Sequence, residues 1–279
     1  GGVGTVVSNY ISWANRYIDG EMHNLICLDK LGEQSKYYLN ESKVEYEDDA
    51  VNKNNFLSSA INDADILLIH WWNHPLIGIF LNRLSTYPKN RTIVWSHISG
   101  LNEPNIIPIK VISIADKFVF TTPYSYLADN LRTSNLLIRS TPTWIWSTGG
   151  NERLKIGIEE NKEVKKSNDL LYVGNLDYAK VSREIFNLVS NSVNELSHLH
   201  IVGPSNIDFT KDLARSSINK YSTIHGFISE KKKFELLAKS KVFIYPLNSK
   251  HYGTCDQTLQ EAMAFGVIPV VLNNKMESY

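Results

Sequence analysis

Cysteine is scarce. Cys27 and Cys255 are the only two in 279 residues, and they lie far apart with no metal-type spacing. A reducing compartment is the plain expectation. An excess of charge of one sign is also missing, with 29 basic and 29 acidic residues. No global field therefore draws the chain to nucleic acid or anionic lipid. No apolar run reaches the length of a membrane span. The longest, around Ile66–Ile69 and Leu76–Leu81, is broken by His70, Asn73, His74 and Pro75. No signal-peptide pattern is visible, and the chain opens on Gly1-Gly2-Val3-Gly4 without a methionine. A glycine-rich turn needs a strand before it, and the chain stops at Tyr279 just after a strand and loop. The expectation is a fragment lacking its first strand and its last helices.

What is present is the composition of a globular protein, 43% hydrophobic and 21% charged. The length suits one large domain or two of ordinary size. Strand-like and helix-like stretches alternate, which predicts an α/β fold with parallel sheets. In the first half the spacing predicts strands at Asn24–Leu28, Ile66–His70, Thr92–Ser96, Lys117–Thr121 and Asn135–Ile138, with helices over Val6–Tyr17 and Asn55–Asp63. Gly149-Gly150 opens a charged, apolar-poor stretch that reads as a linker over 151–168. The domains are then 1–150 and 169–279. In the second, strands are expected at Asp169–Gly174, His198–Gly203, Thr223–Phe227, Lys241–Pro246 and, buried, Val267–Leu272. Helices are expected at Val181–Leu196, Ser229–Ala238 (Ser229 as N-cap) and Thr258–Phe265.

Ligands of open parallel sheets gather at the carboxyl ends of the strands, so the residues just after each strand carry the candidates. The Gly1–Thr5 turn before a helix would let backbone amides approach a phosphate, or is only a tight turn. His70-Trp71-Trp72-Asn73-His74-Pro75 offers aromatics for a sugar or acceptor surface, or core tryptophans. A metal held by His70 and His74 is disfavoured, because Pro75 and the strand context oppose a helix there. His97, between a strand and a glycine-containing loop, could meet a sugar hydroxyl or a leaving phosphate, or be structural. In the Tyr172–Lys180 stretch the strand ends at Gly174, and Lys180 adds charge to a helix start that already favours anions. In His251–Val271 a polar loop enters a helix whose first amides could bind a diphosphate. Glu261, about one turn in, could accept from two adjacent ribose hydroxyls. Thr258-Leu-Gln-Glu261 and Thr254-Cys-Asp-Gln257 also read as capping boxes.

At this last cluster the sequence resembles the retaining glycosyltransferases of the two-Rossmann (GT-B) fold, of the group 1, family 4-like kind. The likeness covers nearly the whole second half, through Val173-Gly174 with Lys180, Ile201-Val202-Gly203, and the block Phe243–Val271 containing Glu261-Ala-Met-Ala-Phe-Gly-Val-Ile-Pro-Val-Val. The first half is similar only through Gly1–Gly4 and His97. The resemblance implies two Rossmann-like domains with a cleft between them. It gives Glu261 to the ribose, and the backbone around Gln257, Thr258 and Leu259 to the diphosphate, with Lys180 opposing its charge. It places Gly2, Gly4, Gly174 and Thr254 around the donor, His97 on the transferred sugar, and an acidic residue at Glu277. The family usually has a glutamate where Gly253 stands, and often an arginine where Asn175 stands. His251, Thr254 and Asp256 are the groups nearby that could take over, and Asp256 joins His97 as a candidate catalytic residue. Trp71 and Trp72 fall on the acceptor side.

The implied activity is transfer of a sugar from a nucleotide-sugar to a glycan or lipid-linked acceptor, with retention, in bacterial surface polysaccharide synthesis. No cofactor or metal is expected, because a helix N-terminus and Lys180 could carry the diphosphate charge. No nucleic acid partner is expected. The expected place is the cytoplasm, with peripheral contact at the inner membrane face. Gly253 and Asn175 also keep open a partner subunit that binds nucleotide-sugar without transfer. A nucleotide-sugar epimerase of similar fold is a third reading.

Overall fold

The computed structural model describes residues 2–133, 143–145, 151–192, 198–254 and 256–274. The expected strand Asn135–Ile138, the pair Gly149-Gly150, Gly1, Cys255 and Glu277 lie outside the described residues. The chain divides into two units, Gly1–Gly150 with Tyr252–Cys255, and Asn151–His251 with Asp256–Tyr279.

The first unit runs α1 (Gly2–Tyr17), β1 (Leu25–Ile26), α2 (Glu33–Glu41), β2 (Tyr46–Glu47), α3 (Asn54–Asp63), β3 (Ile66–Trp71), α4 (Pro75–Arg83), β4 (Arg91–Ser96), α5 (Ile109–Ser113), β5 (Lys117–Val119) and α6 (Asp129–Arg132). Strands β3, β4 and β5 form a parallel sheet in that order, and β1 pairs with β2 in a separate parallel ribbon. Helix α1 buries Val6, Val7, Ile11 and Ala14, a helical stripe. Val6 packs with Trp95 and Val119 against the sheet. The glycine turn expected at the start is instead the first turn of α1, with Gly2 and Gly4 exposed in it. The apolar spacing of Val3, Val7 and Ile11, which share one cluster, carries the helix through the glycines. Pro75 was expected to oppose a helix. It opens α4 at the first helical position, where its missing N–H costs nothing, and the His74 ring accepts from the Leu76 amide at 3.3 Å.

The second unit runs α7 (Glu152–Glu160), β6 (Leu170–Val173), α8 (Glu184–Ser192), β7 (Leu199–Val202), α9 (Ile207–Arg215), β8 (Ser222–Gly226), α10 (Glu230–Lys239), β9 (Val242–Tyr245), α11 (Gln257–Ala264) and β10 (Ile268–Val271). Its five strands are parallel in the order β10-β9-β6-β7-β8. A core of Leu171, Tyr172, Ile201, Phe243 and Tyr245 lies on this sheet.

Three expectations change here. The stretch 151–168 is not a plain linker. Asn151 caps α7 by accepting from the Leu154 amide at 3.0 Å, and Leu154 packs on the core. Gly157 lies so close to Phe234 of α10 that a Cβ there would stand 2.2 Å from the ring. The charged run that follows, Lys162 to Lys166, is exposed as expected. Secondly, α8 starts only at Glu184, because Val181 is tied to Leu247 by an isolated antiparallel bridge. Thirdly, β10 is not buried. Among the described residues it is an edge strand, and Ile268, Pro269 and Val270 are exposed. Ser229 caps α10 as expected, accepting from the Lys232 amide. Among the described residues no helix is long and apolar enough to cross a membrane.

Candidate functional site

In the second unit β6 pairs with β7 on one side and β9 on the other, so the strand order reverses beside β6. That reversal is where open parallel sheets leave room for a ligand beyond the carboxyl ends. Strand β6 leads through Gly174 to Lys180, and β9 leads to the start of α11. Gly203, after β7, must be glycine, since a Cβ there would stand 2.1 Å from the Gly174 carbonyl oxygen. The two strand ends thus close on each other, and the Gly174 amide is spent on the Val202 carbonyl at 2.9 Å.

Lys180 reaches the start of α11. Its Nζ lies 3.1 Å from Asp256 Oδ1, with both side chains about 15% exposed, and 5.6 Å from the centre of the Tyr245 ring. Asp256 occupies the N-cap position of α11 in an extended conformation, with no side-chain capping bond. Its carbonyl accepts from the amides of Leu259 at 3.1 Å and Gln260 at 3.3 Å. The amides of Gln257 and Thr258 precede those bonds and belong to the turn that favours anions. Leu259 does not fit the expected role, because its amide is used within the helix and its side chain packs on the core. Two buried polar atoms here, Asp256 Oδ2 and Gln257 Nε2, have no hydrogen-bond partner among the described residues.

Glu261 lies in the second turn of α11 and is only 3% exposed. Lys233 Nζ donates to both its carboxylate oxygens, at 2.9 and 2.8 Å. Burial pushes the Glu261 carboxyl above its ordinary range, and Lys233 opposes that push. Neither capping box is formed: the N-cap is Asp256, and the Glu261 carboxylate is bound by a side chain. Lys233 is not marked by the sequence, where it is the last of three consecutive lysines, Lys231–Lys233.

Residues of the loop before α11 belong to both units. Thr254 is buried and groups with the first unit, where the Tyr252 carbonyl accepts from the Ser99 amide at 3.2 Å. His251 is buried in the second unit.

In the first unit His97 directly follows β4. Its Nε2 lies 2.9 Å from Nδ1 of His70 on β3, with the rings stacked at 26° and 5.2 Å. Trp95 adds a third ring, 5.1 Å from His97. The His97 amide donates to the Trp71 carbonyl at 2.8 Å. Burial lowers the His97 pKa to about 4. Burial and the facing His97 lower that of His70 to about 3. Both rings are neutral at pH 7, so one nitrogen of the pair donates and the other accepts. His70 pairs with His97 and not with His74. The pairing with His97 follows from the neighbouring register of β3 and β4, where His70 stands beside Trp95. Trp71 is not on an acceptor surface: it is 3% exposed in the core of the sheet. Trp72 is half-buried against the same core, its ring 5.8 Å from His74. Among the described residues no three His, Cys, Asp or Glu side chains are grouped to hold a metal ion.

Two α/β units with parallel sheets are the architecture of the GT-B glycosyltransferases, and solved structures of that class superpose on nearly the whole chain. HepE of Anabaena in complex with UDP-glucose gives a TM-score of 0.70 at 14% identity over 98% of this chain and 78% of its own. AviGT4, a glycosyltransferase involved in avilamycin A biosynthesis, gives 0.65 at 13% identity over 99% and 72%. An alpha-glucosyltransferase in complex with UDP-glucose and DNA containing an abasic site gives 0.65 at 15% identity over 96% and 76%. No curated protein matches the chain in sequence. The family model of the glycosyl transferases group 1 matches residues 156–278.

Proposed function

We propose that this protein transfers a sugar from a nucleoside diphosphate sugar to a hydroxyl acceptor, with retention. The observation that supports it is the reach of Lys180 to the N-terminal turn of α11, with Glu261 one turn further on. A departing diphosphate gains negative charge. Lys180 and the amides of Gln257 and Thr258 supply fixed positive charge without a metal ion. Glu261 takes the ribose hydroxyls. Asp256, which holds Lys180, yields it to the diphosphate. His97 offers a neutral imidazole to the transferred sugar. The acceptor is a glycan or lipid-linked glycan of bacterial surface polysaccharide, reached from the cytoplasmic face of the membrane with Trp72 on the acceptor side.

UDP-glucose is the first donor to try, because the HepE and alpha-glucosyltransferase structures hold it. Incubation with the donor and a panel of lipid-linked and free glycans should release nucleoside diphosphate only when an acceptor is present. Donor conversion without acceptor would indicate an epimerase instead.

A specific observation favours a second reading, a subunit that binds the donor without transfer. Lys180 and Glu261 are both already paired, and Gly253 and Asn175 stand where the resembling family has Glu and Arg. Nucleotide binding with no release for any donor and acceptor pair would decide for it.

A further inference from the structure

Lys233 stands in the first turn of α10, the end of a helix that disfavours a cation, so helix stability does not explain a lysine there. Its ammonium donates to the two oxygens of Glu261 on α11 and lies 5.1 Å from the centre of the Phe234 ring. A buried carboxylate left to itself moves toward its neutral form, and Glu230, also in the first turn of α10, acts in the same direction. Lys233 opposes both. An ionised carboxylate has about four lone-pair sites. Lys233 occupies one on each oxygen and leaves one on each for two adjacent hydroxyls.

We propose that Lys233 is the positioning residue for ribose recognition, fixing the Glu261 carboxylate so that its two remaining acceptor sites meet the vicinal 2′,3′-diol of the nucleotide. The inference rests on the assignment of Glu261 to the ribose made above. It makes recognition of the ribose a property of two helices.

The test is discrimination between a nucleotide and its 2′,3′-dideoxy form, which lacks both hydroxyls. Uridine, guanosine and adenosine diphosphates, each paired with its dideoxy form, are titrated into the full chain. The wild type should prefer one ribonucleotide over its dideoxy form by roughly 100-fold or more, as two hydrogen bonds to a charged group imply. Lys233→Met should reduce that ratio to about threefold or less while leaving the dideoxy affinity unchanged, and Lys233→Arg should restore it. If Lys233→Met fails to fold, Lys233→Gln takes its place. A Lys233 variant that keeps the wild-type ratio, or in which both affinities fall in parallel, overturns the inference and leaves Glu261 on the ribose. A wild type that prefers no ribonucleotide overturns the donor assignment itself.

Discussion

Lys180 and Asp256 stand 76 positions apart in the chain, and their charged atoms are 3.1 Å apart. The contact joins the loop after β6 to the N-cap residue of α11. It also sets a competition, because a diphosphate at that helix end must draw Lys180 away from Asp256. Lys180→Met should weaken nucleoside diphosphate binding by roughly 10- to 150-fold, the worth of a charge-assisted bond. Asp256→Asn releases the lysine and should tighten binding. Calorimetric titration of both variants checks this, and tighter binding by Lys180→Met would sink it.

The histidine pair predicts acid sensitivity of the first unit. The folded pKa values, about 3 for His70 and about 4 for His97, lie below an unfolded value near 6.5. The folded state therefore binds fewer protons in between. The stability is fully present above about pH 6.5 and is lost as pH falls toward 4, by at most about 1.4 kcal/mol per pH unit per histidine. Denaturant unfolding between pH 7 and 4 should show this decline, and His70→Phe should flatten it.

Trp71 and Trp72 should separate on substitution. Trp71→Ala opens a cavity in the core and should cost about 3–5 kcal/mol. Trp72→Ala, at a half-buried position, should cost clearly less. Urea unfolding of the two variants measures the difference, and equal costs would contradict the placement of Trp71 in the core.

Gly203→Ala should destabilise the second unit by about 1–3 kcal/mol, because its Cβ would meet the Gly174 carbonyl oxygen. It should also weaken nucleotide binding, since Lys180 follows from the displaced strand end. An unchanged midpoint in urea would show that the two strand ends do not approach as described.

Much of the strand framework was legible because parallel strands leave short apolar runs ending in glycine, as at Val173-Gly174 and Val202-Gly203. The order of the sheet was not, since periodicity carries no information about which strands pair. Helix α7 was hidden by its charge: only Leu154 and Gly157 face the core, too few for a visible stripe. The residues at the start of α11 were found from the loop–helix pattern and the family resemblance. Their partners were not. Lys233 and His70 reach Glu261 and His97 through contacts between elements, and no spacing along the chain encodes those. The two capping-box readings failed for a related reason. Both used the correct residue types, but the N-cap is Asp256, between the two possible caps.

The central claim is that Glu261 holds the ribose of a nucleotide. Titration of the full-length protein with uridine, guanosine and adenosine diphosphates, beside Glu261→Gln and Glu261→Ala, tests it most directly, with circular dichroism to confirm that each variant is folded. The account predicts binding of at least one nucleotide by the wild type and a loss of roughly 10-fold or more in both variants. No binding by the wild type, or equal binding by folded variants, would contradict it and leave Glu261 as a structural partner of Lys233.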